Sequence, residues 1–137
     1  MKKHTKIILI VLAVIMILAM CSTAFAASAT YSISNLAPNG GVLWSNSVVQ
    51  KSGLDRSGWI QPSGSNNTGH MTVRLYGQND RTTKRIDYMN VYATTAYNQT
   101  PFYTAWKYET FGTIMKFSND TSTSVRSAGA WGVTTAT

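Results

Sequence analysis

Residues 71–76, Met-Thr-Val-Arg-Leu-Tyr, alternate strictly between aliphatic side chains and polar or amphipathic ones. Because successive side chains of a β-strand point to opposite faces, Met71, Val73 and Leu75 are predicted to share one buried face. The residues between them then lie on the opposite face, towards solvent. This segment predicts a strand that has one side in a hydrophobic core.

Comparable segments lie on both sides of it, and turn-forming residues separate them. The predicted strands are 31–36, 42–49, 58–61, 71–76, 86–95, 102–108, 110–117 and 124–131. The predicted connections are 37–41, 63–69, 77–85, 98–101 and 119–122. From residue 27 onward, no stretch of ten or more residues has apolar positions at i, i+3, i+4 and i+7. Six to eight short strands predict an all-β domain, namely an antiparallel β-sandwich or a barrel-like variant of it.

The composition from residue 27 onward supports the same fold class. Serine and threonine supply 29 of these 111 residues; both compete with helical hydrogen bonding, and threonine favours strands. Aromatic side chains bury large areas, so we expect most of them to lie in the core. Trp131, which lies between Gly129 and Gly132, is predicted to close that core against Met115 and Phe117.

The first 26 residues have the composition of a helical signal peptide. Three lysines precede an unbroken apolar run from Ile7 to Met20, and Ala24 and Ala26 occupy the small-residue positions before a cleavage site. We therefore expect residues 1–26 to be a signal peptide and residues 27–137 to be one secreted domain that begins at Ala27.

Two alternative interpretations would keep the chain at the membrane. The apolar run could remain as an uncleaved anchor, although 14 residues span about 21 Å, less than the roughly 30 Å of a bilayer core. Alternatively, Leu-Ala-Met-Cys at residues 18–21 resembles a lipid-attachment motif, but Met20 is larger than the residue that normally precedes the cysteine.

Charge and cysteine content exclude several classes of protein. The chain has 12 basic and 5 acidic side chains, and removing the three lysines of the first 26 residues leaves a net charge of +4. The single cysteine, Cys21, lies in the predicted signal peptide, so no disulfide scaffold is expected. His70 is the only histidine after residue 26, so neither a metal site nor another cofactor is predicted. The modest charge and the predicted export disfavour nucleic acid as a partner.

Catalytic residues are scarce, and no catalytic site is predicted. Glycoside hydrolysis needs two carboxyl groups that face the sugar across about 5–10 Å. Asp87 and Glu109 are the best pair by sequence context, since the other three acids lie in polar turns. Serine catalysis needs a positioned base, and the chain has no Gly-x-Ser-x-Gly motif. We therefore expect a protein that is not an enzyme, and hydrolase is the least favoured hypothesis.

Binding is better supported. Arg81, Lys84 and Arg85 place three positive charges in the connection 77–85, and we predict an anion-contacting patch there. Outside the cell its partner would be an anionic cell-wall polymer or a membrane surface. A carbohydrate would instead need a row of exposed aromatic rings, for which the candidates are Trp44, Trp59, Tyr76, Tyr88 and Tyr92.

The segments 100–106, 112–119 and 127–131 resemble a family of small exported Gram-positive proteins of unknown function, the DUF2712 type. The residues that fit its closing pattern are Tyr103, Ala105, Gly112, Asn119, Gly129 and Trp131. The ending Gly-Val-Thr-Thr-Ala-Thr at 132–137 differs from the Pro-Asp-Thr-like ending usual there. The resemblance implies an exported domain of this size, and it implies no catalytic residue.

Two functional hypotheses follow from these features. The first is an exported, non-enzymatic β-sandwich that acts as a cell-surface or extracellular binding module. The second is a secreted antimicrobial or bacteriocin-like protein, which small size, positive charge and abundant aromatic residues would also suit.

The predicted processing site can be tested directly. We expect amino-terminal sequencing or intact mass of the secreted product to show Ala27 as its first residue, because Ala24 and Ala26 flank the bulky Phe25. A membrane-retained product that begins at a lipid-modified Cys21 would contradict this prediction.

Overall fold

A computed structural model describes residues 27–136, and the alternating segment that contains Val73 is its strand β5. The predicted signal peptide, with Ala24 and Ala26, lies outside the described residues. Within residues 27–136 every regular element is a strand, as the sequence predicted. No helix in that range is long and apolar enough to cross a membrane.

The strands form two antiparallel sheets, one of which curls into a half-barrel. They are β1 (Ser28–Leu36), β2 (Gly41–Trp44), β3 (Val49–Lys51), β4 (Ser57–Pro62), β5 (His70–Gly77), β6 (Asp80–Lys84), β7 (Met89–Tyr92), β8 (Asn98–Pro101), β9 (Phe111–Asn119) and β10 (Val125–Thr134). Sheet A has the order β1-β10-β4-β8. Sheet B has the order β2-β9-β5-β6, and in addition β3 pairs with β9 and β7 pairs with β5.

The core lies between the sheets and is built from their alternating residues. On β5, Val73 lies opposite Phe117 of β9 and Leu75 lies opposite Met115, and all four are buried. Trp131 is fully buried and belongs to the same hydrophobic cluster, as predicted. Its indole Nε1 has no hydrogen-bond partner within the described residues.

The glycines beside Trp131 are explained by the central position of β10, which pairs with β1 on one side and β4 on the other. A Cβ at Gly129 would collide with the carbonyl oxygen of Gln61, and one at Gly132 would collide with that of Ala27. Glycine therefore allows the backbones of both neighbouring strands to approach β10 closely.

The predicted strand 42–49 is two strands, β2 and β3. At Ser45 the backbone N–H donates to the carbonyl of Met115 (2.8 Å), while the N–H of Met115 donates to the Ser45 hydroxyl (3.0 Å). The side chain thus takes the place of a backbone acceptor, and the ladder is interrupted there.

The connection predicted at 77–85 is a β-hairpin whose second strand is β6. Gly77 lies opposite Asp80, and the carboxylate of Asp80 accepts hydrogen bonds from Thr82 and Thr83. These bonds lower the pKa of Asp80 far below its usual range. All five residues of β6 are polar, so no hydrophobic alternation marked the strand in the sequence.

The predictions for 98–108 were also wrong. The predicted break at 98–101 is the edge strand β8, where Pro101 is tolerated because one side of the strand has no partner to bond. Most of the predicted strand 102–108 is a turn over 104–108.

That turn is held by Lys51, which the sequence analysis did not single out. Lys51 is completely buried, and its ammonium donates to the carbonyl oxygens of Ser52 (2.9 Å), Lys107 (3.0 Å) and Glu109 (2.9 Å). Its Nζ also lies 4.8 Å from the centre of the Phe102 ring. Three donors thus meet three acceptors, which is what makes a buried ammonium tolerable. Burial lowers the pKa of Lys51.

We expect Trp131→Ala to lower the free energy of unfolding by about 3–5 kcal/mol, the usual cost of truncating a buried aromatic side chain. Trp131→Phe should cost clearly less, because it keeps a ring and removes an Nε1 that makes no hydrogen bond within the described residues. Urea unfolding of both variants measures this. Equal stability of the alanine variant and wild type would show that Trp131 is not a core residue.

We expect Lys51→Met to destabilise the protein by about 1–3 kcal/mol, because the side chain keeps its length while the carbonyls of Lys107 and Glu109 lose their donor. Hydrogen exchange should accelerate within residues 104–110. Lys84→Met on the exposed strand β6 is the matched control and should leave both measurements near wild type. Unchanged exchange in the Lys51 variant would refute the assigned role.

Candidate functional site

Cationic and aromatic side chains gather on the outer face of sheet B, opposite the core. Trp44 of β2 lies across from Lys116 of β9, which in turn lies across from Arg74 of β5. In the next row, Tyr76 lies opposite Lys84 of β6. Residues directly opposite in antiparallel strands project from the same face, so these side chains form one surface.

The rings and cations of this surface are in contact range. The Trp44 and Tyr76 rings meet edge to face, with centres 5.1 Å apart. The Arg81 guanidinium lies 5.0 Å from the centre of the Trp44 ring, and the Lys116 ammonium lies 5.7 Å from it. Arg74 lies 5.4 Å from the ring of Tyr88. We call this surface the cationic face; it comprises Trp44, Arg74, Tyr76, Arg81, Lys84, Tyr88 and Lys116.

No carboxylate neutralises the four cations of the cationic face within residues 27–136. The one ion pair in that range joins Arg85 to Asp80 at 3.1 Å. Asp80 is already engaged by its threonine partners, and Asp87, at the rim beside Tyr88, accepts the backbone N–H of Tyr88 at 2.8 Å. The face therefore carries a local excess of positive charge.

Arg81 and Lys84 are exposed on β6, as the sequence predicted for the anion-contacting patch, but Arg85 is not. The chain turns inward after β6, and the Arg85 side chain is buried with its guanidinium 3.4 Å from the centre of the Trp106 ring. A Cβ at Gly77 would lie 2.9 Å from Arg85 Nη2, so the guanidinium is packed against both residues. The predicted group of three exposed cations is wrong at this position.

Arg74 and Lys116 take the place of Arg85 in the charged surface, and the sequence analysis missed them as site residues. Each lies between two core-facing residues of an alternating strand, so the sequence pattern indicated that its side chain points outward. Their proximity was not, because it depends on the register of β5 against β9.

The five candidate aromatic residues do not form a single row. Trp44, Tyr76 and Tyr88 belong to the cationic face. Tyr92 stacks on His70, with ring centres 4.4 Å apart, farther along the same sheet. Trp59 belongs to sheet A and stacks on Tyr97, with centres 5.8 Å apart.

The two candidate carboxylates, Asp87 and Glu109, are both exposed. Asp87 lies just before β7. Glu109 precedes β9, and its backbone carbonyl accepts a hydrogen bond from the Lys51 ammonium. No group of three or more histidine, cysteine or acidic residues is placed to hold a metal ion in the described part of the chain.

Comparisons with protein-family models, with curated proteins and with solved structures found no match for this chain. The resemblance of its C-terminal third to the exported family named above therefore stays a prediction. The surface chemistry of the two sheets is the basis for the functional argument.

Proposed function

We propose that this protein is an exported, non-enzymatic binding module that attaches to an anionic polymer at or beyond the cell wall through its cationic face. The observation that carries the proposal is the grouping of Arg74, Arg81, Lys84 and Lys116, without a neutralising carboxylate, around the Trp44–Tyr76 ring pair.

The spacing of the cations supports a polymer rather than a single small anion. Arg74 and Lys116 project from directly opposite positions of strands whose backbones lie about 4.8 Å apart, and salt screens charges at physiological strength only beyond about 8 Å. Their attraction for a nearby anion is then cumulative, and a chain with regularly spaced charges can contact several of them together. Such attraction also accelerates association.

The exposed part of the Trp44 ring adds a surface for the uncharged part of the same polymer. Trp44 is half-buried, because its ring lies near Arg81 and Lys116 and meets the buried ring of Tyr76 edge to face. A ring held in this way can pack against carbon–hydrogen groups of a sugar or polyol, but it does not project as an anchor into a lipid bilayer. This arrangement favours a wall polymer over the membrane surface as the partner.

We expect the purified protein to bind poly(glycerol phosphate) chains and not neutral dextran, with affinity that falls as salt rises. The double variant Arg74→Gln/Lys116→Gln should weaken binding at least tenfold, because it removes two central charges and keeps the rings. Lys107→Glu, which lowers the net charge by the same two units away from both the cationic face and Arg126, should leave the affinity within about twofold. Isothermal titration calorimetry measures all three proteins.

Three outcomes would overturn the proposal. Equal weakening by the double variant and by Lys107→Glu would mean that net charge alone drives the interaction. Tighter binding to anionic vesicles than to the polymer, with leakage of their contents and killing of related strains, would support the antimicrobial alternative. Equal affinity for duplex DNA of matched charge would indicate an unspecific polyanion surface.

A further inference from the structure

A cavity lies on sheet A, away from the cationic face. It has a volume of about 340 Å³, in the range of small-molecule sites, and is open to solvent. Strands β1 and β10 form its floor, and the loop between β4 and β5 forms one wall. The polar residues that line it include Ser32, Ser34, Ser65, Asn66, Asn67 and Arg126.

The floor contains a β-bulge. Ile33 lies opposite Ser127, but the next paired residue, Leu36, lies opposite Val125, so β1 has one residue more than β10 over this interval. A bulge bends the strand and changes the direction of the neighbouring side chains. Here it lies at Ser34, where β1 reaches the cavity.

The wall is anchored to β10 by backbone hydrogen bonds. The N–H groups of Ser63 and Gly64 donate to the carbonyl of Ala128 (2.9 and 3.2 Å), and the N–H of Ala128 donates to the Asn67 side-chain oxygen (3.0 Å). Thr68 and Arg126 exchange two further bonds, of 2.8 and 3.2 Å. The cavity is thus formed before any ligand arrives.

Gly64 leaves room for the Asn67 side chain in this wall. A Cβ at Gly64 would lie 2.5 Å from Asn67 Oδ1 and 3.3 Å from the Cβ of Ala128, so a larger residue would displace the Asn67 side chain. Asn67 Oδ1 accepts the N–H of Ala128, whereas the amide Nδ2 of the same side chain makes no hydrogen bond within the described residues and can serve a ligand.

The lining specifies a ligand by its chemistry. Arg126 is the one charged residue among those that line the cavity, and no carboxylate is there to pair with it. A guanidinium matches the geometry of a phosphate or carboxylate, to which it can donate two parallel hydrogen bonds. The surrounding hydroxyl and amide groups both donate and accept, as the hydroxyl groups of a sugar do.

We propose that this cavity binds a sugar-sized polyol that carries one phosphate or carboxylate group, with the anionic group on Arg126 and the hydroxyl groups on the serine and asparagine side chains. The site belongs to the other sheet, so it does not depend on the proposed function of the cationic face. It would let the protein recognise a single anionic sugar unit in addition to a polyanion.

The proposal can be tested by nuclear magnetic resonance titration of the purified protein with glucose 1-phosphate, glucuronate and glucose. We expect at least one of the two anionic sugars to bind at least tenfold more tightly than glucose. Their comparison distinguishes phosphate from carboxylate as the preferred group. The amide resonances of Gly64, Ser65, Asn66 and Ala128 should shift, while that of Lys116 on the cationic face should not.

Variants assign the anion to Arg126. Arg126→Gln should remove the preference for the charged sugars over glucose, since the side chain is exposed and its loss leaves the core intact. Lys116→Gln, with the same change in net charge, should keep the preference. Melting temperatures of both variants near that of wild type would show that the fold is retained.

The proposal is overturned if none of the three compounds binds, if glucose binds as tightly as the anionic sugars, or if Lys116→Gln abolishes the preference as fully as Arg126→Gln. It is also overturned if the shifted resonances lie on sheet B. None of these results would by itself exclude polymer binding by the cationic face, which is measured with a different ligand and a different pair of variants.

Discussion

In the pairing of β5 with β9, Val73 lies opposite Phe117 and Leu75 lies opposite Met115, and this register determines both faces of sheet B. Because side chains alternate, burying these four residues forces Arg74 and Lys116 to the outer face, directly opposite each other. A shift of one residue would expose the core and bury the cations. The hydrophobic contact that stabilises the sandwich therefore also assembles its charged surface.

Two other cations lie in the interior, where they stabilise a turn that is not part of any strand. Lys51 bonds the carbonyls of the turn over 104–108, and Arg85 packs against Trp106 and pairs with Asp80. Both also lie near the ring of Phe111, at 5.7 and 5.4 Å. Aromatic faces and backbone carbonyls replace the water that these charges lose on folding.

The outer surfaces of the two sheets differ in chemistry, although both follow from the same alternation. Sheet B presents four cations around rings, which suits a polyanion. Sheet A presents small hydroxyl-bearing and apolar residues on β1 and β10, with Arg126 beside a cavity. A module with two such surfaces could bind a polymer through one and an individual anionic sugar through the other.

The sequence by itself determined the fold class, because the alternation at 71–76 and 110–117 and the abundance of Ser and Thr are local properties of strands. It also indicated that Trp131 is buried between close-packed glycines. The strands β6 and β8 were missed because their residues carry no hydrophobic period. β6 is defined by its hairpin pairing with β5, and β8 by its pairing with the distant strand β4. The exposure of Arg81 and Lys84 was also predicted from local sequence.

Tertiary structure alone decided that Arg85 is buried, that Lys51 holds a turn more than fifty residues away, and that Arg74 and Lys116 meet. Each of these depends on strand register and packing between distant segments, which no local pattern specifies.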